Sequence, residues 1–342
     1  MRTREVGTTG HQVGAVGLGC MGMSWAYAQS SRDDAESAEV LRQAVDAGVT
    51  FLDTSDVYGA GHNELLLGEA LAGRRDEIFL ATKAGLVVTD MQTRAIARNG
   101  SPEHLRAAID ASLKRLGTDH IDLWYLHRID DQVPLVESWG AMAEAVQAGK
   151  VRYLGLSEVT VAQCTAAATV HPVTAVQSEL SLWTRDALGQ PSGAAGSEPV
   201  VTTMSIGGAP ESGDVVGWCA ANGAAFVPFS PLGRGFLTGA IDATTELEST
   251  DLRAGNPRFT PEARAANARI VDAVRSVADR HGATPAQVAI AWTLAQGPHV
   301  IPIPGTRRLR HLTDNIGAAD LDLTEADLAE LDNAPKPVGT RY

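Results

Sequence analysis

Cysteine is scarce. The only three, Cys20, Cys164 and Cys219, lie far apart in a chain of 342 residues and form no CxxC pair. That excludes a disulfide framework and a cysteine zinc site, and it fits reduced thiols in a cytoplasmic protein. Long apolar runs are also missing. Nothing approaches the ~18 residues of a membrane span, and the opening MRTREVGTTGHQ has no apolar core. Neither a membrane segment nor a signal peptide is expected. Basic charge is in deficit, with 28 Lys and Arg against 41 Asp and Glu, a net charge of −13. Nucleic acid and anionic membranes are therefore not expected as partners. No two histidines have ligand spacing, so no metal site is expected. Lysine is rare too, with only Lys83, Lys114, Lys150 and Lys336, and each one attracts notice.

What is present is a rhythm. At 44% hydrophobic and 20% charged residues the chain is globular. Eight short apolar runs fall at 15–19, 50–54, 77–82, 121–127, 151–157, 174–177, 224–230 and 300–305. Helical patterns separate them. Over 101–116, Leu105, Ile109, Leu113 and Leu116 share one face, with Ser101 as cap, Pro102 in the first turn and Gly117 at the end. Over 284–296, Thr284, Pro285 and Gln287 form a capping box. Eight strands alternating with helices predict parallel strands joined by crossovers. The count favours a single (β/α)₈ TIM barrel over an open doubly wound sheet. Residues 4–13 read as a small hairpin turning at Thr9-Gly10. The Gly/Ser/Pro-rich stretch 187–213 reads as a long inserted loop, 236–262 as irregular, and the tail from Ala334 as an extended surface segment.

Gly17, Gly19 and Gly22 spell GxGxxG after the first strand. A Rossmann site needs a helix to open at those glycines and an acidic residue about 20 positions on. Here a helix is expected only near Arg32–Asp34, and Asp53 lies 36 positions after Gly17. A glycine-rich turn that admits close backbone approach explains the motif better.

The polar residues that end the strands carry the chemistry. Asp53 ends strand two and Tyr58 follows it. Lys83 ends strand three, His127 strand four, Ser157 strand five and Gln177 strand six. Active sites of such barrels gather at these ends. A lysine there needs a carboxylate partner, and Asp53 is adjacent. Positive charge would lower the pKa of Tyr58 and make it a general acid, and a neutral His127 would donate to a substrate oxygen. A structural Asp53–Lys83 pair is the bland alternative. A Schiff-base enzyme with Lys83 free as nucleophile is another.

At these residues the chain resembles the aldo-keto reductase superfamily, over about residues 4–335. The segments are FLDTSDVYGAGHNELLLGEAL, LATKAG, IDLWYLHRID, VRYLGLSE, AVQSELSLWTRD, FVPFSPLGRGFLTG and IPIPGTRRLRHLTDNIGA. The resemblance implies a barrel that binds NADPH and reduces a small-molecule aldehyde or ketone to an alcohol. It implies a catalytic tetrad of Asp53, Tyr58, Lys83 and His127, with Tyr58 as the acid. Ser157 and Gln177 would hold the nicotinamide carboxamide, and Phe229 would stack on its ring. Gly19 and Met21 would lie under the nicotinamide ribose. Ser230, Leu232, Gly233 and Gly235 would surround the pyrophosphate. Gly305, Thr306 and Arg307 would approach the ribose phosphate, and Asp314 and Asn315 the adenine. Departures are Glu158 for asparagine, Leu180 for a frequent tyrosine, and His311 for a frequent arginine. Trp25, Tyr27, Leu86, Arg128 and Trp183 are candidate substrate walls. The other implied reading is a catalytically weak NADPH-binding sensor of the same fold. A monomer is the default expectation.

Overall fold

The structure, a computed structural model, describes residues 1–190 and 213–341. Two strands, β1 (Thr3–Glu5) and β2 (Gln12–Gly14), form the expected antiparallel hairpin. Seven parallel strands then follow in one sheet. They are β3 (Leu18–Gly19), β4 (Phe51–Asp53), β5 (Phe79–Ala84), β8 (Ile121–Leu126), β9 (Val151–Ser157), β10 (Ala175–Glu179) and β11 (Ala225–Phe229). The eighth apolar run closes the circle without a regular ladder. Ile301 and Ile303 donate to the carbonyls of Phe226 and Pro228, and Gly17 donates to Pro302 on the other side. Pro302 and Pro304 lack the N–H groups that a ladder toward β3 would use, which is why this strand registers only as bridges.

The period-two alternation sorts each strand. Phe51, Phe79, Ala81, Leu123, Tyr125, Ala175, Ala225, Val227, Ile301 and Ile303 fill the barrel interior, with Val6 and Val13 of the hairpin plugging its floor. Leu52, Leu80, Trp124, Leu126, Val176 and Phe226 face outward into the shell of helices. That shell includes α1 (Asp34–Asp46), α2 (His62–Ala70), α3 (Pro102–Leu116), α4 (Leu135–Gln147), α5 (Val161–Ala168), α6 (Val215–Asn222), α7 (Pro261–His281), α8 (Pro285–Leu294), α9 (Leu309–Gly317) and α10 (Glu325–Asp332).

The expected caps are in place. The Ser101 hydroxyl accepts from the His104 N–H, Gly117 ends α3 at φ 64°, and Thr284 and Gln287 complete the box on α8. The GxGxxG motif serves closure. A Cβ on Gly17 would meet the Phe51 carbonyl at 2.9 Å, and one on Gly19 the Ile303 carbonyl at 2.8 Å. No α-helix opens there; α1 starts at Asp34, capped by Asp33.

Two features were not anticipated. A hairpin of β6 (Leu86–Asp90) and β7 (Ala95–Arg98) leaves β5 directly. The tail is not merely a surface segment, because Val338 pairs with Asn267 and Arg341 reaches the ends of β9 and β10. Most of the loop expected at 187–213 lies outside the described residues. Its ends are held together where the Val215 N–H donates to Ala187. Among the described residues no helix is long and apolar enough to cross a membrane.

Candidate active site

The same parity that fills the barrel builds the site. On β4 the inward residues are Phe51 and then Asp53. On β5 they are Phe79, Ala81 and Lys83. Past the end of β8, His127 follows Leu123 and Tyr125. Each strand buries apolar side chains below and presents one polar side chain at its carboxyl end. Register keeps them level, with Gly19 opposite Asp53 and Ser157 opposite Gln177.

Lys83 is fully buried and its three N–H bonds are all placed. Nζ donates to Asp53 Oδ1 at 2.5 Å, to the Thr54 carbonyl at 2.8 Å and to Tyr58 Oη at 3.2 Å. Asp53 accepts a further bond from Gln177 Nε2 at 2.7 Å. Burial opposes the ammonium of Lys83, but Asp53 and Tyr58 outweigh it and its pKa rises. A lysine held this way is no free amine, which counts against Schiff-base chemistry. Burial lifts Asp53 above the usual carboxyl range, while Lys83 and Gln177 pull it back.

Tyr58 departs from expectation. Burial raises its pKa more than Lys83 lowers it, so the phenol stays protonated at neutral pH rather than drifting toward ionisation. The reason is that removing the phenolate from water costs more than one cation, already engaged by Asp53, returns. His127 stands edge-on to Tyr58 with ring centroids 5.8 Å apart. Burial, helped by Arg128 and Lys83, pushes its pKa well below the ordinary value, so the ring is neutral. The pair therefore offers a protonated phenol and a neutral imidazole, backed by a buried cation.

A family model for the aldo/keto reductase family matches residues 15–191 and 200–336. The chain belongs to the aldo/keto reductase family. A probable aldo-keto reductase of Glycine max is 40% identical over 336 residues, which are 98% of this chain and 89% of that one. A solved thermostable aldo-keto reductase, crystallised with the inhibitor epalrestat, superposes with a TM-score of 0.71 at 29% identity, over 97% of this chain and 99% of that one. A glycerol dehydrogenase from Gluconobacter oxydans gives 0.80 at 26% identity, over 97% and 94%. Family membership makes this chain an oxidoreductase of a group that acts on carbonyls with nicotinamide cofactors.

Around the tetrad of this aldo/keto reductase, Trp25, Ala26, Val57, Tyr58 and Leu86 form one apolar cluster, with Met21 and Tyr27 packed against it. Arg128 donates to Ser157 Oγ at 3.1 Å. Trp183 is only 1% exposed; it stacks on Phe236 at 4.6 Å and meets Phe259 edge-on, so it packs beneath the mouth. A Cβ on Gly233 would sit 2.8 Å from the Trp183 ring nitrogen. Ser230, Gly233, Arg234 and Gly235 all have positive φ, which makes the segment after β11 a tight turn. Leu232 packs beside it. Arg307 reaches back to Ser31 Oγ at 3.0 Å, beside Thr306 and Gly305. A Cβ on Gly305 would meet the Gly19 carbonyl at 3.0 Å. On α9, Asp314 accepts from Thr284, and Asn315 is buried. A groove of about 390 Å³ beside the start of α9 is lined by Glu36, Glu39, Arg308, Leu309 and Arg310.

Sequence reasoning missed several groups at the mouth, and noted Glu158 only as a departure from the family's asparagine. Glu158 and Glu179, both buried, are bridged by Arg341, and Arg234 also donates to Glu179. Arg341 lies over the Phe229 ring at 5.9 Å. No local pattern announces a pairing across 162 residues. Ser55 and Asp56 were missed although they sit inside the DTSDVYG segment.

Proposed function

We propose that this chain reduces an aldehyde or ketone to an alcohol with NADPH, with Tyr58 as the general acid. The observation that carries the reading is Tyr58 Oη in contact with the buried Lys83 ammonium beside a neutral His127. When bound, the cofactor supplies a hydride to the carbonyl carbon. The protein does the rest. Tyr58 and His127 donate to the carbonyl oxygen, and Tyr58 gives up its proton as negative charge develops there. Lys83 then faces a phenolate instead of a phenol, and Asp53 holds it in place throughout. Trp25, Tyr27, Leu86 and Arg128 favour an apolar or planar carbonyl compound near Tyr58.

The residues present suit the cofactor. The first turn of α9 has no side-chain cap, and Arg307, Arg308 and Arg310 surround it. Uncapped N–H groups and guanidinium forks suit a phosphate. Glu36 and Glu39 oppose it across the same groove, so the balance between NADPH and NADH is set there. Ser157, Gln177 and Phe229 would meet the nicotinamide. Ser230, Leu232, Gly233 and Gly235 would meet the pyrophosphate. Gly19 and Met21 would meet the ribose, and Asp314 and Asn315 the adenine.

The test follows NADPH absorbance with 4-nitrobenzaldehyde. Tyr58→Phe should lose about 10²- to 10⁴-fold in turnover while its NADPH affinity stays native. A variant that turns over at the native rate refutes the acid assignment. Tight NADPH binding without turnover in the native chain would favour a sensor.

A further inference from the structure

We propose that Ser55 and Asp56 are positioning residues that set the ring tautomer of His127, through a chain from the Asp56 carboxyl to the Ser55 hydroxyl to His127 Nδ1. This deepens the reductase reading and rests on it for its catalytic consequence. Ser55 Oγ lies 3.1 Å from His127 Nδ1 and 3.1 Å from Asp56 Oδ1. It also accepts from the Val57 N–H at 3.3 Å. The hydroxyl is fully buried, and it has one proton to give. The Lys83 carbonyl, at 3.4 Å, is the poorest of its acceptors.

Two arrangements satisfy the chain. With Asp56 protonated, its O–H donates to Ser55 Oγ and the Ser55 O–H donates to Nδ1. The ring proton then sits on Nε2, free for a carbonyl oxygen. With Asp56 ionised, the Ser55 O–H turns to the carboxylate and Nδ1–H donates to Ser55 Oγ. Nε2 is then bare and repels a carbonyl oxygen. No proton leaves the ring's net count in either state; only its position changes. The donor a reductase needs exists in the first arrangement alone.

The surroundings favour that arrangement at neutral pH. Asp56 keeps partial contact with solvent, yet the desolvation of its carboxyl and the nearby Glu64 of α2 push it up to about 8, against Ser55 and Arg115 of α3. Glu64 is itself engaged by Arg115 and Thr82. Among the described residues the other charged or titratable groups nearby include Asp53 of β4 with its partner Lys83 of β5, Tyr58, and Arg128 past the end of β8. Among the catalytic groups Asp53 also lies above its ordinary range, raised by burial against Lys83 and Gln177, so the Asp56→Asn variant is what separates the two carboxyls. Lys83 and Tyr58 lie above their ordinary values, and His127 lies well below its own. A loss of activity through pH 8 that Asp56→Asn removes therefore reports Asp56.

The test labels the full-length chain with ¹⁵N-histidine. His127 is assigned by its loss in His127→Gln, and its ring nitrogens are read by long-range NMR from pH 6.5 to 9.5 without cofactor. The expected result is Nε2–H at pH 6.5 and Nδ1–H at pH 9.5. Asp56→Asn, which has no proton to lose in this range, should show the same tautomer at pH 6.5 and pH 9.5. Ser55→Ala should abolish the switch, and Ser55→Thr should restore it. A tautomer indifferent to pH, or to Asp56→Asn, overturns the proposal. This readout needs no turnover, so it fails or succeeds independently of the reductase reading. In turnover, kcat/KM should fall tenfold per pH unit above about pH 8 in the native chain and stay level in Asp56→Asn. An intact NMR switch with a level native profile would overturn the catalytic half of the proposal.

Discussion

Replacing Lys83 with methionine isolates the electrostatics of the site. Methionine keeps the length of the buried stem and removes the charge. Among the described residues Asp53 is then left with Gln177 as its one side-chain donor, in a pocket where it is 3% exposed. Leaving one partner of a buried pair uncompensated costs about 3–5 kcal/mol. Linkage gives the same size independently. A carboxyl forced to stay neutral at pH 7 against an unfolded pKa near 3.9 loses about 4 kcal/mol, at about 1.4 kcal/mol per unit. The sign is fixed by the raised folded pKa: the deficit grows as pH rises above about 4 and shrinks on acidification. Because Asp53 already lies above its ordinary range in the native chain, these are ceilings: urea unfolding should show Lys83→Met up to about 4 kcal/mol below the native chain at pH 7 and up to about 1.5 kcal/mol below it at pH 5. Adding Asp53→Asn should recover most of the loss and remove its pH dependence. A deficit under about 1 kcal/mol at pH 7, or an equal deficit at both pH values, refutes the argument from an uncompensated buried charge.

Glu179 should behave oppositely. Burial alone would raise its pKa, but Arg341, Arg234 and Arg258 hold it at about 2. Its stabilisation is present above the usual carboxyl range and is lost as pH falls toward 2, so Glu179→Gln should cost about 3 kcal/mol at pH 7 and much less at pH 3 in urea midpoints. Gly19→Ala drives a Cβ against the Ile303 carbonyl at the barrel seam. It should lose about 1–3 kcal/mol in denaturant titration, and native stability would show that the seam yields freely. Trp183→Ala empties the space between Gly233, Phe236 and Phe259, and should cost about 3–5 kcal/mol by the same measurement.

The sequence by itself determined the alternation of strands and helices, and so the barrel. It also determined which side chains end each strand. Both are local properties: period-two apolar runs, capping residues such as Ser101 and Thr284, and the polar residue that follows the last inward apolar one. Once strands are parallel and in register, Asp53, Lys83 and His127 must meet, because inward parity and the carboxyl end are shared. The tertiary structure decided the rest. Whether Tyr58 is raised or lowered depends on how much water reaches it, and burial overrode the charge that the sequence displays. Whether the glycines of GxGxxG serve a ligand or the seam depended on Ile303 and Gly305 arriving some 285 residues later. The tail crosses the mouth because two buried carboxylates, Glu158 and Glu179, need Arg341. Such pairings are set by desolvation and distance in three dimensions. One-dimensional spacing carries neither.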